Sequence, residues 1–218
     1  MKSIFNLDGP LMQMLTRIGD MILLNVLFLI CCVPVVTAGA SIAAMHKMMQ
    51  EIVYETDSST IKGFFRAFKA NFKQATILWI IVLVIILSLA CDVLLIITYF
   101  SGSESVKWMF GLLAVLAVLV CCVVAYMIPL LVRYENSLRE HLTNAAVLAI
   151  IKLPRTIGLV VLNLLPVILF ALSVSVFFQT LIFWLFIGFT FTTYLEVLLL
   201  KPVFTELEGG RDNVKLGL

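Results

Sequence analysis

Charge is what this sequence has least of. Only 13% of its 218 residues are Asp, Glu, Lys or Arg, about half the share carried by an ordinary soluble domain. The deficit is concentrated in whole stretches. No charge falls between Trp108 and Val132 or between Thr156 and Leu195, and Asp92 is the single charge from Gln74 to Ser103. With 62% hydrophobic residues, a water-soluble fold has no way to hide the apolar surface, so the chain is read as a membrane protein. Alternation of apolar and polar residues is also missing, which excludes barrel strands and leaves helices as the spanning elements. A net charge of +2 is too small to argue for a nucleic-acid partner. HExxH, GxSxG and phosphate-cradling glycine loops are absent, so no enzyme and no cofactor is expected. His46 and His141 lack a third ligand at metal-binding spacing and read as solvated. All five cysteines (Cys31, Cys32, Cys91, Cys121, Cys122) sit in apolar runs, where a free thiol behaves as a small hydrophobe and no disulfide framework is implied.

What is present organises into an all-α, polytopic membrane helical bundle. Five spans are expected at about 10–33, 75–100, 107–132, 155–175 and 180–201, within a single membrane domain of residues 1–202 followed by a short polar tail, 203–218. Asp8-Gly9-Pro10 opens the first helix and Pro34 closes it. Lys2 and Arg17 ahead of an apolar core, with Ala38-Gly39-Ala40 beyond it, imitate a cleaved leader. Removal after Ala40 would put the basic segment 62–73 outside, against charge bias, so the segment is read as a permanent span. A short helix from Thr37, too short to cross, ends near Glu55. Ser101-Gly102-Ser103-Glu104 forms the turn between the second and third spans. Ser137 and Glu140 spell a capping box that opens a surface helix through Leu153. The 40 uncharged residues from Thr156 to Leu195 must fold back once, near Ser173, Ser175, Gln179 and Thr180.

Residues 60–74 carry the sharpest local pattern. At about 100° per residue, Lys62, Arg66, Lys69 and Lys73 share one narrow face, while Ile61, Phe64, Phe65, Phe68 and Phe72 fill another arc. This is the chemistry of an interfacial helix on the cytoplasmic side, with Phe64, Phe68 and Phe72 in the acyl boundary and the basic heads among anionic lipid headgroups. The alternative is a helix packed on the rest of the protein.

Orientation follows from the basic residues. The loop containing Lys47, Lys62, Arg66, Lys69 and Lys73, the connection with Arg133, Arg139, Lys152 and Arg155, and the tail with Lys201, Arg211 and Lys215 hold twelve of the fifteen Lys and Arg. Five spans place these regions on one side. The positive-inside rule then puts the C-terminus in the cytoplasm and the N-terminus outside. Within the spans, Asn25 and Asp92 fall at similar depth and are expected to form an intramembrane polar contact, with Arg17 able to reach Asp92 by snorkelling. Glu196, one and a half turns before Lys201, is expected to reach the interface as an anchor.

Two stretches, Pro34-Val35-Val36-Thr37-Ala38-Gly39-Ala40-Ser41 and Phe64 through Phe68-Lys69-Ala70-Asn71-Phe72-Lys73-Gln74-Ala75-Thr76, resemble the YesL-like family of bacterial integral membrane proteins. The motif positions are Pro34, Thr37, Gly39, Ser41 and Asn71, with Ala38 standing where Ile is more usual. The resemblance implies a plasma-membrane protein without established biochemical activity. Such proteins are often encoded beside carbohydrate-utilisation genes and sugar ABC transporters, which implies a supporting role in sugar uptake or its regulation. Two functions are therefore carried forward. One is a non-catalytic accessory protein whose partners are the lipid bilayer and a sugar ABC transporter or another membrane protein, with residues 60–75 and 137–152 as docking surfaces. The other is a small transporter or channel with its polar site at Asn25 and Asp92.

Overall fold

The computed structural model describes residues 10–56, 59–100 and 105–215, and every regular element among them is helical. The turns expected at Asp8-Gly9 and at 101–104 lie outside the described residues. Helix α1 (Pro10–Cys32) stops ahead of Pro34, which lacks an N–H and pushes the residue before it out of the helical region. A single 3-10 turn, Val35–Thr37, then redirects the chain into α2 (Ala38–Val53). The Thr37 hydroxyl lies 2.8 Å from the Cys31 carbonyl and 2.9 Å from that of Pro34, covering acceptors that the end of α1 leaves open.

From this corner α2 folds back along α1. Near the corner the Ser41 hydroxyl donates to the Phe28 carbonyl at 2.9 Å. At the far end Arg17 pairs with Glu55 at 2.8 Å and Thr60 donates to Asp20 at 2.6 Å. The N-terminal part of α1 and the connection after α2 therefore lie at one end of the molecule. The expected layout, with α1 as a crossing that parts its start from residues 55–60, did not include this proximity. Pro34 stands at the tip of the hairpin that α1 and α2 form.

Helix α2 occupies the centre of the bundle, packed against α1, α3, α4 and α8. Its composition explains why. Ala40, Ser41, Ala43, Ala44, Met48 and Met49 are almost fully buried, and small side chains let neighbouring helix backbones approach closely. Gly39 is the extreme case, since a β-carbon there would collide with the Cβ of Trp79 and lie 2.7 Å from the Ala75 carbonyl oxygen. The Trp79 indole in turn donates to the Val35 carbonyl at 2.8 Å, tying the corner to α3.

Helix α3 runs unbroken over 41 residues, Thr60–Phe100, about 60 Å at the α-helical rise. The separate surface helix expected at 60–74 is its first part, because nothing between Gln74 and Ala75 interrupts the backbone ladder; only the composition changes. Gly63, Phe64, Ala67, Ala75, Leu78 and Val82 form its buried stripe. Lys62, Arg66, Lys69 and Lys73 are all exposed, as the wheel requires. The phenylalanines divide differently from the expectation. Phe64 is fully buried in a cluster with Met48 and Met49 of α2 and Leu24 of α1, Phe68 packs at its edge, and only Phe65 and Phe72 face outward. The Phe64–Phe68 side is a protein contact because α2, not lipid, covers it.

Helix α4 (Val106–Arg133) returns, and the Ser137–Glu140 capping box opens α5 (Leu138–Ile151) as expected. Helix α6 (Leu153–Leu172) breaks at Ser173, whose side chain caps α7 (Val174–Phe183). A π-helical segment, Trp184–Gly188, joins α7 to α8 (Phe189–Lys215). Residues 203–215, expected as a polar tail, continue α8, and Val203 and Phe204 are fully buried. Among the described residues, five stretches are long and apolar enough to cross a membrane: Met12–Cys32, Thr60–Phe100, Val106–Arg133, Leu153–Leu172 and Val174–Gly209. The outward faces of α3 and α4 are correspondingly bare, with Val84, Leu87, Leu94, Leu112 and Val118 all more than half exposed.

Candidate functional site

Among the described residues, three groupings of polar side chains bear on function. The first is the joint between α1 and the widened turn. The Asn25 side-chain amide donates to the carbonyls of Trp184 (3.0 Å) and Leu185 (2.7 Å), and its oxygen accepts from the Thr190 backbone N–H at 3.2 Å. The Thr190 hydroxyl lies 3.0 Å from the Met21 carbonyl. A π-turn shifts the backbone ladder by one residue and exposes polar groups that hydrocarbon cannot satisfy. Asn25, with 0% exposure, supplies two donors and an acceptor to that backbone.

The expected Asn25–Asp92 contact is not formed. Asp92 is exposed in the second half of α3, and Arg17 bonds Glu55 instead. The N-terminal end of α1 lies with residues 55–60 at the start of α3, whereas Asp92 lies in the second half of α3. The motif positions fare otherwise: Pro34, Thr37, Gly39 and Ser41 build one corner. Asn71 donates to Ala67 on its own helix at 2.9 Å.

The second place is a buried pair on α2 and α8. His46 Nε2 lies 3.5 Å from a Glu196 carboxylate oxygen, with side chains only 6% and 5% exposed. His46 is thus not solvated, and Glu196 is not an interfacial anchor: α8 turns it inward onto α2. Burial pushes the His46 imidazole down to about 4, since desolvation disfavours the cation. His141 is also fully buried, and burial lowers it too. Neither feature was legible in the sequence, because pairing His46 with a residue so far along the chain needs the position of α2.

The third place is a cleft of about 380 Å³ at the end where α2 and α4 finish, lined by Lys47, Gln50, Glu51, Tyr54, Thr56, Arg133 and Glu208. Gln50 donates to the Pro129 carbonyl at 3.1 Å. The Arg133 guanidinium lies 4.3 Å from the Tyr54 ring centre and 4.8 Å from that of Phe204, and its Nε bonds Glu208 at 2.8 Å. Lys152 pairs at 2.7 Å with Glu206, two residues before Glu208. Stacked and doubly bonded guanidinium groups are held rigidly. Outside the spans, the hydrogen bond from Arg17 keeps Glu55 below the usual carboxylate range, and the Ser137 cap does the same for Glu140. Among the described residues, no group of three His, Cys, Asp or Glu is placed to hold a metal ion.

A helical bundle with five apolar stretches of spanning length is a multi-pass membrane protein. Residues 21–93 match the family described as "Protein of unknown function, DUF624", a domain that YesL-like proteins carry. The match takes in the α1–α2 corner and most of α3. No curated protein and no solved structure matches the chain.

Proposed function

We propose that this chain is a non-catalytic accessory protein of the bacterial plasma membrane, acting through contact with another membrane protein. The observation that carries the reading is the commitment of Asn25. Each of its bonds to Trp184, Leu185 and Thr190 holds helices together, which favours a structural role for Asn25 over a transport site shared with Asp92. Open surface remains instead on α5, where Val147, Ile150 and Ile151 are exposed beside Leu153. A carbohydrate-uptake system is the partner implied by the YesL-like resemblance. A photo-cross-linker at Ile150 is expected to capture a subunit of a sugar ABC transporter in native membranes, and Asp92→Asn should leave the adduct intact. Absence of any adduct, together with sugar flux through the purified protein in liposomes, would reverse the reading.

The same proposal orients the chain. Placing Arg17 with residues 55–60 adds it to the twelve basic residues already on one side, which strengthens the charge bias for that side as cytoplasmic. The α1–α2 hairpin then starts and ends at the cytoplasmic face. In a cysteine-free background, Leu15→Cys should react with an impermeant thiol reagent only after the membrane is opened, whereas Lys107→Cys should react in intact cells. Labelling of Leu15→Cys from outside would defeat this orientation.

Residues 62, 66, 69 and 73 form an exposed basic row, suited to anionic headgroups at about 1 kcal/mol each. An isolated 60–75 peptide is a poor probe of that row, because it would expose Phe64, which the intact protein buries.

A further inference from the structure

We propose that His46 and Glu196 form a proton-binding site inside the bundle, holding one proton between α2 and α8 and accepting a second on acidification at the expense of that helix contact. The inference is independent of the docking reading. An ionisable residue within a membrane bundle is a functional candidate once its partner is known, and here two lie 3.5 Å apart, both more than nine-tenths buried.

The proton count follows from charge. A carboxylate beside a neutral imidazole would leave a bare anion among apolar side chains, which costs several kcal/mol. One shared proton removes that net charge whether it resides on the carboxyl or on the imidazole. A second proton, taken from water, makes the site cationic. With the first proton on the carboxyl and Nε2–H facing it, the second goes to His46 Nδ1, which is buried without a hydrogen-bond partner; with the first on the imidazole, the second goes to the Glu196 carboxylate.

Other charges on the surrounding helices are engaged elsewhere. Arg17 of α1 pairs with Glu55, Arg66 of α3 with Glu51, and Arg133 of α4 with Glu208. Tyr126 of α4 bonds Thr156, and Lys201 of α8 lies over the Tyr54 ring. On α2 itself, Lys47 and Glu51 line the end cleft. The sign of the pH effect follows from the proton count. On these two groups the unfolded chain carries none above the ordinary imidazole value of 6.5, one between 6.5 and the ordinary carboxyl value of 4.5, and two below that. The folded pair holds one throughout until it accepts its second. The pair's contribution to stability is therefore level between 4.5 and 6.5, and it declines as pH falls below 4.5, where the unfolded chain binds the extra proton, and as pH rises above 6.5, where the unfolded chain binds none.

The chain has two histidines, so nitrogen-15 histidine labelling of the full-length protein in nanodiscs yields two ring systems, assigned with His141→Asn. His46 is expected to show no titration across the range where a free imidazole titrates, and its ring signals should move in Glu196→Gln. The melting temperature should fall on acidification below 4.5, the ordinary carboxyl value, and His46→Gln should remove part of that fall while His141→Asn leaves that part in place. Should His46→Gln fail to fold, the wild-type titration decides. A His46 that titrates like a free imidazole, ring signals indifferent to Glu196→Gln, or a pH profile unchanged by His46→Gln would each overturn the proposal.

Discussion

Gly39→Ala is expected to destabilise the protein by about 1–3 kcal/mol, the range for overpacking a well-filled contact. Helix propensity alone predicts the opposite sign, since alanine is favoured over glycine by about 1 kcal/mol in a helix interior. The contact wins because the atoms met by the new methyl are the Cβ of Trp79 and the Ala75 carbonyl oxygen, which belong to the α3 backbone or its first side-chain atom. Neither can swing aside. Gly111→Ala supplies the control: a β-carbon there meets nothing within 4 Å, so the propensity gain should appear unopposed. Thermal melting of both variants in the same detergent gives the comparison. A stabilised Gly39→Ala would show that α2 and α3 are not in close contact at this point. Gly39→Leu should prevent α2 from seating at all.

Asn25→Leu, close in volume but without hydrogen-bonding groups, should cost about 2–4 kcal/mol. Three buried backbone groups, the carbonyls of Trp184 and Leu185 and the N–H of Thr190, lose their partner at once, and each unsatisfied group costs about 1–3 kcal/mol. The estimate sits below the sum because a π-turn can relax toward an α-helical ladder. Hydrogen exchange should therefore accelerate selectively at residues 184–190. Asp92→Asn, at an exposed position, should stay within about 0.5 kcal/mol of wild type. Equal effects from the two substitutions would remove the structural role assigned to Asn25.

Much of the architecture was legible because it depends on composition and local chemistry. Long uncharged runs locate the apolar helices, Pro34 ends α1, and Ser137 with Glu140 opens α5. Pattern and structure part company where one helix serves two roles. Charge disappears after Gln74, yet α3 continues, because composition marks a change of surroundings and not a break in the ladder. Phe64 was assigned to lipid because hydrophobic periodicity finds the buried face without saying what covers it. The polar contacts were the least legible. Asn25 finds the widened turn, and His46 finds Glu196, only because α2 folds back into the centre. That return is encoded in Gly39, Ala40, Ala43 and Ala44, small residues whose meaning depends on neighbours distant in the chain.

The central position of α2 also bears on biosynthesis. Some 150 residues separate His46 from Glu196, and at about 5–20 residues per second a ribosome needs roughly 8–30 s to cover that distance. Until α8 emerges, the imidazole has no carboxyl to meet and one flank of α2 stays uncovered. The first hairpin to leave the ribosome must therefore wait, shielded by insertion machinery or by lipid, for the last helix to close over it. Truncation before Glu196 should accordingly leave a chain that quality-control proteases remove.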